Sequence, residues 1–313
     1  MFVLVEHDRG EVEPASLEAL TFARTRGDVT AVVVGEGADQ AAAGLGGYGA
    51  SHITIATNEL LADYGPDAWA DALAQVVGAA GATEVLAAGT DRGNEVIAQL
   101  AARLDLPMAA NVLELAKPGE VLRLQWGGSL HELAAFEEPM LLYTISPHSI
   151  EATGGAGASG TVVEQPIELD ESATVTMIKD RVTTAEGITL ATAPIVVSGG
   201  RGMGSAEAFD MLEELADLVG GKVGCSRVVT NNGWRNHRDQ VGQTGTVVAP
   251  DVYLACGISG AIQHWVGMMN AKTVIAINTD KDAPMVTKAD YAIVADLHDV
   301  VPALIEEVKR RRA

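Results

Sequence analysis

Cysteine is almost absent: the chain has two, Cys225 and Cys256, both in apolar stretches and without the close spacing of a metal knuckle. They read as reduced, buried thiols, and a disulfide-built scaffold is excluded. Basic residues are scarce too, 21 Lys and Arg against 42 Asp and Glu, which leaves a net charge of −21. Nucleic-acid binding needs clustered cations to neutralise phosphates, so DNA and RNA are excluded as partners. Long apolar runs are also missing. Stretches such as Ala31–Val34 and Met140–Ile145 are far short of the roughly 20 residues that cross a bilayer. Met1–Val5 reads as a strand with no basic n-region, apolar h-region or small-residue cleavage site ahead of it, and the expectation is a cytoplasmic protein.

What the chain has in quantity is apolar residues, 48% of 313, ample for two packed cores of about 150 residues each. Apolar runs of strand length alternate with helix-length segments, the pattern of an α/β sheet covered by helices. Strands are predicted at Phe2–Val5, Thr30–Val34, Ile53–Ala56, Glu84–Ala88 and Met140–Ile145, and helices near Ala15–Thr25, Asp67–Val77 and Asn94–Leu104. Val121–Trp126 and Glu132–Phe136 read as a hairpin, because Gly127–Gly128 supplies the positive φ of a tight turn. The first half is therefore a mixed α/β sheet domain.

Periodicity is lost over Gly154–Gly160 and the chain turns polar and acidic around Asp170 and Glu171, both signs of a boundary. A short β segment is predicted near Val175–Val182 and a turn around Gly187. The domain change is placed near Thr189, giving domains 1–188 and 189–313. Beyond it, strand, loop and helix repeat: Ile195–Val197 then Ala206–Val219, Lys222–Gly224, Tyr253–Cys256 then Ala261–Met268, Thr273–Ile277, and Tyr291–Val294 then Val300–Arg310. Apolar strands without alternation imply a parallel, doubly wound sheet buried on both faces. Ligands of such sheets bind at the carboxyl ends of the strands.

Four strand ends carry suitable residues. Ser198-Gly199-Gly200-Arg201-Gly202 is either a pyrophosphate seat or a Gly-rich connection with a solvated Arg, and Arg201 inside the loop favours phosphate. In Gly224-Cys225-Ser226-Arg227, Ser226 has a hydroxyl to donate, although an Arg at a strand end more often serves as an exposed ion-pair partner. Val241-Gly242-Gln243-Thr244-Gly245 sets an amide and a hydroxyl between glycines, as a planar heterocycle or a plain polar turn would need. Gly257-Ile258-Ser259-Gly260-Ala261-Ile262-Gln263-His264 runs from strand to helix. Ser259 is the expected N-cap, and Gln263 and His264 fall in the first turn, where the positive helix end favours a negative ligand group.

In order and spacing, Ser198–Arg201, Gly224–Arg227, Val241–Gly245, Gly257–His264, Ala276–Asn278, and Ala289–Tyr291 with Asp296 closely resemble the alpha subunit of electron-transfer flavoprotein. The resemblance covers Pro194–Pro302 and is most specific over Gly257–Gly267; the first half is similar more loosely, in its opening strand and the helix entry Asp91-Arg92-Gly93-Asn94. It implies a heterodimer whose C-terminal alpha domain binds one FAD while a beta subunit closes over the flavin. It further implies that electrons arrive from flavin dehydrogenases, such as the acyl-CoA dehydrogenases of fatty acid β-oxidation, and leave to an acceptor such as a quinone reductase.

Carried over by position, Arg201 and Ser226 would meet the pyrophosphate, and Ser259, Gly260, Ala261, Ile262, Gln263 and His264 would line the ribityl chain and flavin. Asn278, Asp296 and Leu297 would hold the adenosine end. Within Val241–Thr244, Thr244 would offer its hydroxyl to flavin N5 and Gln243 would contact the ring's polar edge, with Gly242 in the same loop. Arg227 would lie against the isoalloxazine, and a cationic or donating His264 would face its N1/C2 edge, where reduction places negative charge. Electron transfer requires no general acid or nucleophile and no such dyad is evident, which fits a carrier rather than an enzyme.

Two other classes remain open at this point. A nicotinamide-dependent oxidoreductase expects G-x-G-x-x-G after a strand, and Gly200-Arg201-Gly202-Met203-Gly204 fails that spacing. A non-catalytic nucleotide-binding regulator is suggested by the first α/β domain alone. The terminal Lys309-Arg310-Arg311-Arg312 reads as a solvated run that offsets the helix dipole.

Overall fold

A computed structural model of the chain describes residues 1–155, 160–178 and 188–312. The chain divides into two compact units, Met1–Gln125 with Leu130–Thr183, and Trp126–Ser129 with Thr184–Ala313.

The first unit runs β1 (Phe2–Val5), β2 (His7–Asp8), β3 (Glu11–Val12), α1 (Pro14–Arg24), β4 (Val29–Val34), α2 (Ala38–Ala42), β5 (Ala50–Thr57), α3 (Pro66–Ala80), β6 (Glu84–Ala88), α4 (Asp91–Leu104), β7 (Met108–Lys117), β8 (Glu120–Gln125), β9 (Leu130–Ala135), β10 (Leu141–Ile145) and β11 (Thr161–Pro166). Its main sheet has the order β11-β5-β4-β1-β6-β10-β7-β8-β9. All pairs from β11 to β7 are parallel, and β7, β8 and β9 form an antiparallel arm. The sheet is therefore mixed, as expected. Its parallel centre is apolar without alternation: Val29, Ala31, Val32, Val33 and Val34 of β4 are all buried, the signature of a strand covered on both faces. Helix starts follow local chemistry: α3 opens on Pro66, and α4 is capped by Thr90, whose hydroxyl accepts from the Gly93 amide at 2.9 Å, satisfying one otherwise orphaned donor.

The predicted strands and helices of this half recur within a few residues, and β8 and β9 form the predicted hairpin, turning at Trp126, Gly127 and Gly128 with φ of 53°, 62° and 88°. Five elements were not expected: the short ladder of β2 and β3, and α2, β7 and β11. Residues 175–178, the described part of the β segment predicted at Val175–Val182, form a turn and an irregular stretch rather than a strand. The rest of that segment, the turn around Gly187 and positions 156–159 of the glycine stretch lie outside the described residues.

The second unit contains β12 (Ile195–Gly199), α5 (Asp210–Val219), β13 (Lys222–Cys225), α6 (Arg227–Asn231), β14 (Val252–Cys256), α7 (Ile262–Trp265), β15 (Thr273–Ile277), α8 (Pro284–Lys288), β16 (Tyr291–Ile293) and α9 (Leu297–Arg312). Its five strands are all parallel in the order β13-β12-β14-β15-β16. One face is packed by Phe209, Leu212 and Leu215 with Val301 and Ile305 of α9. The other buries Tyr253, Val241, Met268 and Met285. The sheet is doubly wound, as predicted. The predicted helix Ala206–Val219 is split into a 3-10 turn, Glu207–Phe209, followed by α5.

Cys225 and Cys256 both stand in register with Gly199, one on each side of β12. Two strand spacings separate them by roughly 10 Å, beyond the reach of about 7 Å for a disulfide. Both are free and buried, and burial pushes both thiols up to about 12, so they are inert at neutral pH. Among the described residues no helix is long and apolar enough to cross a membrane.

Candidate functional site

The strand order of the second sheet reverses between β12 and β14, and at such a switch point the loops diverge and leave a crevice beyond the strand ends. A cleft of about 760 Å³ lies there, within the usual size of a cofactor site. All five strands deliver a loop to it. Arg201 and Gly202 follow β12, Ser226 and Arg227 follow β13, Gly257–Ala261 follow β14, Asn278–Asp280 follow β15, and Ala295–Leu297 follow β16.

Its floor depends on glycines. The Gly202 amide donates to the Gly257 carbonyl at 3.0 Å, and the Gly200 amide to the Cys256 carbonyl at 2.9 Å, so two loops cross backbone on backbone. Gly257 has a φ of +63°, and a Cβ on it would stand 2.7 Å from Gly202 Cα. Neither the conformation nor the spacing admits a side chain easily.

The rim is charged at separate places. Arg201 and Arg227 are both exposed, and among the described residues neither has a carboxylate partner. Arg235, by contrast, is held by Glu213 and by Asp239 at 3.0 Å. The guanidiniums of Arg201 and Arg227 on one cleft, in a chain of net charge −21, concentrate positive charge there, as an anionic ligand would require. Ser226 begins α6 without using its hydroxyl as a cap, which leaves that hydroxyl for a ligand. Asn278 is committed within the wall. Its side-chain amide donates to the Ile258 carbonyl at 3.0 Å and its side-chain oxygen accepts from the Asp280 amide at 3.0 Å, tying the β15 loop to the β14 loop. Asp296 likewise accepts from the His298 amide at 2.9 Å.

Of the residues predicted to bind the cofactor, the cleft brings together Arg201, Ser226, Arg227, Ser259, Gly260, Ala261, Gln263, His264, Asn278, Asp296 and Leu297. Val241, Gly242, Gln243, Thr244 and Ile262 are not among its lining residues. The loop that carries the first four packs against α7, with the Gln243 amide donating to the Gln263 carbonyl at 2.7 Å. It thus supports the helix that lines the cleft. Ser259 is not the N-cap of α7; that place belongs to Ala261, with no side-chain cap. Ser259 is instead a backbone acceptor for the Met285 amide at 3.1 Å.

Sequence reasoning passed over Asn231, Thr279, Asp280 and His298, which also line the cleft. Three of these lie within two residues of a predicted one, and that proximity was the available signal. It also missed Gln240, 3% exposed, whose amide nitrogen donates to Thr244 Oγ1 at 3.0 Å while its oxygen accepts from Thr230 at 2.8 Å. Gln240 thereby fixes the hydroxyl of Thr244 as an acceptor toward the protein, with its own proton free to point outward.

His264 departs most from expectation. It is 7% exposed, its Nε2 lies 2.8 Å from the Tyr253 hydroxyl, and its Nδ1 is buried with no hydrogen-bond partner. Burial, partly offset by the Val241 backbone, pulls the imidazole down to about 4. The expected alternative of a cation is therefore removed: the ring is neutral at pH 7, because a buried charge without a carboxylate costs more than deprotonation.

Two family models match the chain: the Electron transfer flavoprotein domain over residues 1–170 and the Electron transfer flavoprotein FAD-binding domain over residues 189–269. The electron transfer flavoprotein subunit alpha of Bacillus subtilis (strain 168) is 36% identical, over 99% of this chain and 97% of its own length. That of Mycobacterium tuberculosis (strain ATCC 25618 / H37Rv) is 38% identical over 100% and 99%. This chain belongs to the electron transfer flavoprotein alpha subunit family. A probable mitochondrial electron transfer flavoprotein subunit alpha from Cryptococcus neoformans var. grubii is 37% identical over 98% and 90%, so the likeness spans the full length in bacterial and fungal members alike. Residues 189–269 of this chain match the FAD-binding domain of that family.

The residues present fit FAD. The unpaired Arg201 and Arg227 suit a pyrophosphate and an electron-rich ring, the glycine floor lets the backbone approach a ligand, and the unpartnered Nδ1 of His264, on a residue of the cleft wall, is a polar atom awaiting a partner.

Proposed function

We propose that this chain is the FAD-bearing alpha subunit of a heterodimeric electron carrier, with 189–313 as the cofactor domain and 1–188 as the domain that faces a beta subunit. The observation that carries the reading is the convergence of all five strand-end loops on one cleft, together with two unpaired arginines. FAD, when bound, supplies reversible uptake and release of electrons one or two at a time. The chain's own work is to bind and to bias. Arg201 and the Ser226 hydroxyl hold the pyrophosphate, and Asn278, Asp296 and Leu297 shape the adenosine end. Arg227 and a neutral, donating His264 favour the more negative, reduced state of the ring over the oxidised one.

The donors in this reading are flavin dehydrogenases, among them acyl-CoA dehydrogenases, and the acceptor is a quinone reductase or a comparable carrier. The nicotinamide alternative is weaker, because the first glycine loop lacks the required spacing and the second sheet has the order β13-β12-β14-β15-β16, unlike the 3-2-1-4-5-6 order of dinucleotide dehydrogenases. The test is to co-express the chain with a beta partner and titrate flavin. One FAD per alpha chain is expected; a correctly folded, colourless heterodimer that takes up none would overturn the proposal.

A further inference from the structure

Tyr253 sits on β14 beneath the cleft, 0% exposed, at 2.8 Å from His264 Nε2. A phenol has one proton to donate, and burial raises the Tyr253 hydroxyl above its ordinary value, so that proton stays in place. A buried donor left unpaired costs about 1–3 kcal/mol. Among the described residues the hydroxyl has one acceptor in hydrogen-bonding geometry, His264 Nε2. Ser198 Oγ adjoins the phenol without meeting that geometry.

We propose that Tyr253 is a positioning residue that fixes the tautomer of His264: its O–H donates to Nε2, which places the ring's only proton on Nδ1. If Nε2 carried the proton and donated to the phenol, the Tyr253 O–H would be left in a dry interior with Ser198 Oγ alone, which adjoins it outside hydrogen-bonding geometry. With Nε2 as acceptor the phenol is satisfied, and Nδ1–H lies beside the Val241 backbone without completing a hydrogen bond to it. It is a donor on a residue of the cofactor cleft, where an accepting edge of a bound ring can satisfy it. His264 then offers a neutral N–H rather than a charge, the neutral state itself being held by burial of the ring.

The role toward FAD rests on the flavin reading given above, whereas the tautomer itself does not. The experiment is 15N NMR of the full chain labelled at histidine, in its complex with the beta subunit and again without flavin, with the His264 signals identified by their loss in His264→Ala. The expected result is a protonated Nδ1 and an unprotonated Nε2 in both samples; a protonated Nε2 overturns the proposal. Tyr253→Phe is expected to shift the proton towards Nε2 and to weaken the affinity for reduced flavin roughly five- to tenfold, the worth of one net hydrogen bond, with a smaller change for oxidised FAD. An unchanged tautomer and an unchanged affinity ratio in this variant would also overturn it. If Tyr253→Phe fails to fold, the native spectrum still decides. If no flavin binds at all, the flavin reading fails, and the flavin-free spectrum still decides the tautomer.

Discussion

Acid should unfold the second unit through His264. In the unfolded chain the imidazole titrates near 6.5, and in the folded chain near 4. Between these values the unfolded state binds a proton that the native state refuses, so native stability falls as pH falls. The contribution is intact above pH 6.5 and is lost progressively down to about 4. Integrating between pH 7 and pH 4.5 gives a loss of about 2 kcal/mol from this one residue.

The assay is urea unfolding of the flavin-free chain at pH 7 and at pH 4.5, for the native sequence and for His264→Gln. Comparing the two proteins cancels other groups, including Glu6 and Glu13, whose carboxyls burial raises and which favour the folded state more as pH falls. The native chain should lose about 2 kcal/mol more than the variant over this interval. Equal losses in the two proteins would show that His264 is not buried as a neutral ring, and the account of the site built on it would fail.

Two further outcomes concern the cleft. Arg201→Ala should weaken FAD binding by ten- to a hundredfold, the loss of about 1.5–3 kcal/mol for one charge-assisted bond, while leaving the flavin potential nearly unchanged; calorimetric titration alongside a redox titration checks this, and a large potential shift with intact affinity would place Arg201 at the ring. Gly257→Ala should destabilise the second unit by about 1–3 kcal/mol, because its φ is +63° and the new methyl would meet Gly202 Cα at 2.7 Å and Leu297 Cδ2 at 2.8 Å; urea unfolding measures it, and a wild-type midpoint would refute the crossing of the two loops.

The second sheet was legible because its strands are apolar on both faces, so that Ile195–Gly199 and Val252–Cys256 need no partner to be recognised. Strands that serve an arm or an edge were not. β7 has the sequence MAANVLELAK with only Ala109 and Val112 fully buried, and Asn111 in it has a φ of +57°, so neither alternation nor an unbroken run marks it. β11 ends on Pro166, with Val162 and Val163 half exposed, and looks like a linker. The short helices α6 and α8 fall below the length at which periodicity registers. At the site, spacing gave the loops but not the depth. Whether His264 is a cation depends on how far it lies from water, and that is a tertiary fact set by the elements packed around it. The same holds for Thr244, whose hydroxyl is oriented by Gln240, a residue that carries no motif.

The pairing of β11 with β5 joins Thr161 to His52 and Pro166 to Thr57, and it has a consequence for how the chain is made. At about 5–20 residues per second of synthesis, β5 emerges from the ribosome roughly 5–20 s before its neighbour exists. During that interval its outer edge, carrying Ile53 and Ile55, has unpaired backbone groups of the kind that recruit foreign strands. The first unit cannot close until more than half of the chain has been translated, so nascent copies on one message are at their most vulnerable to each other in that window, well before any cofactor cleft has formed.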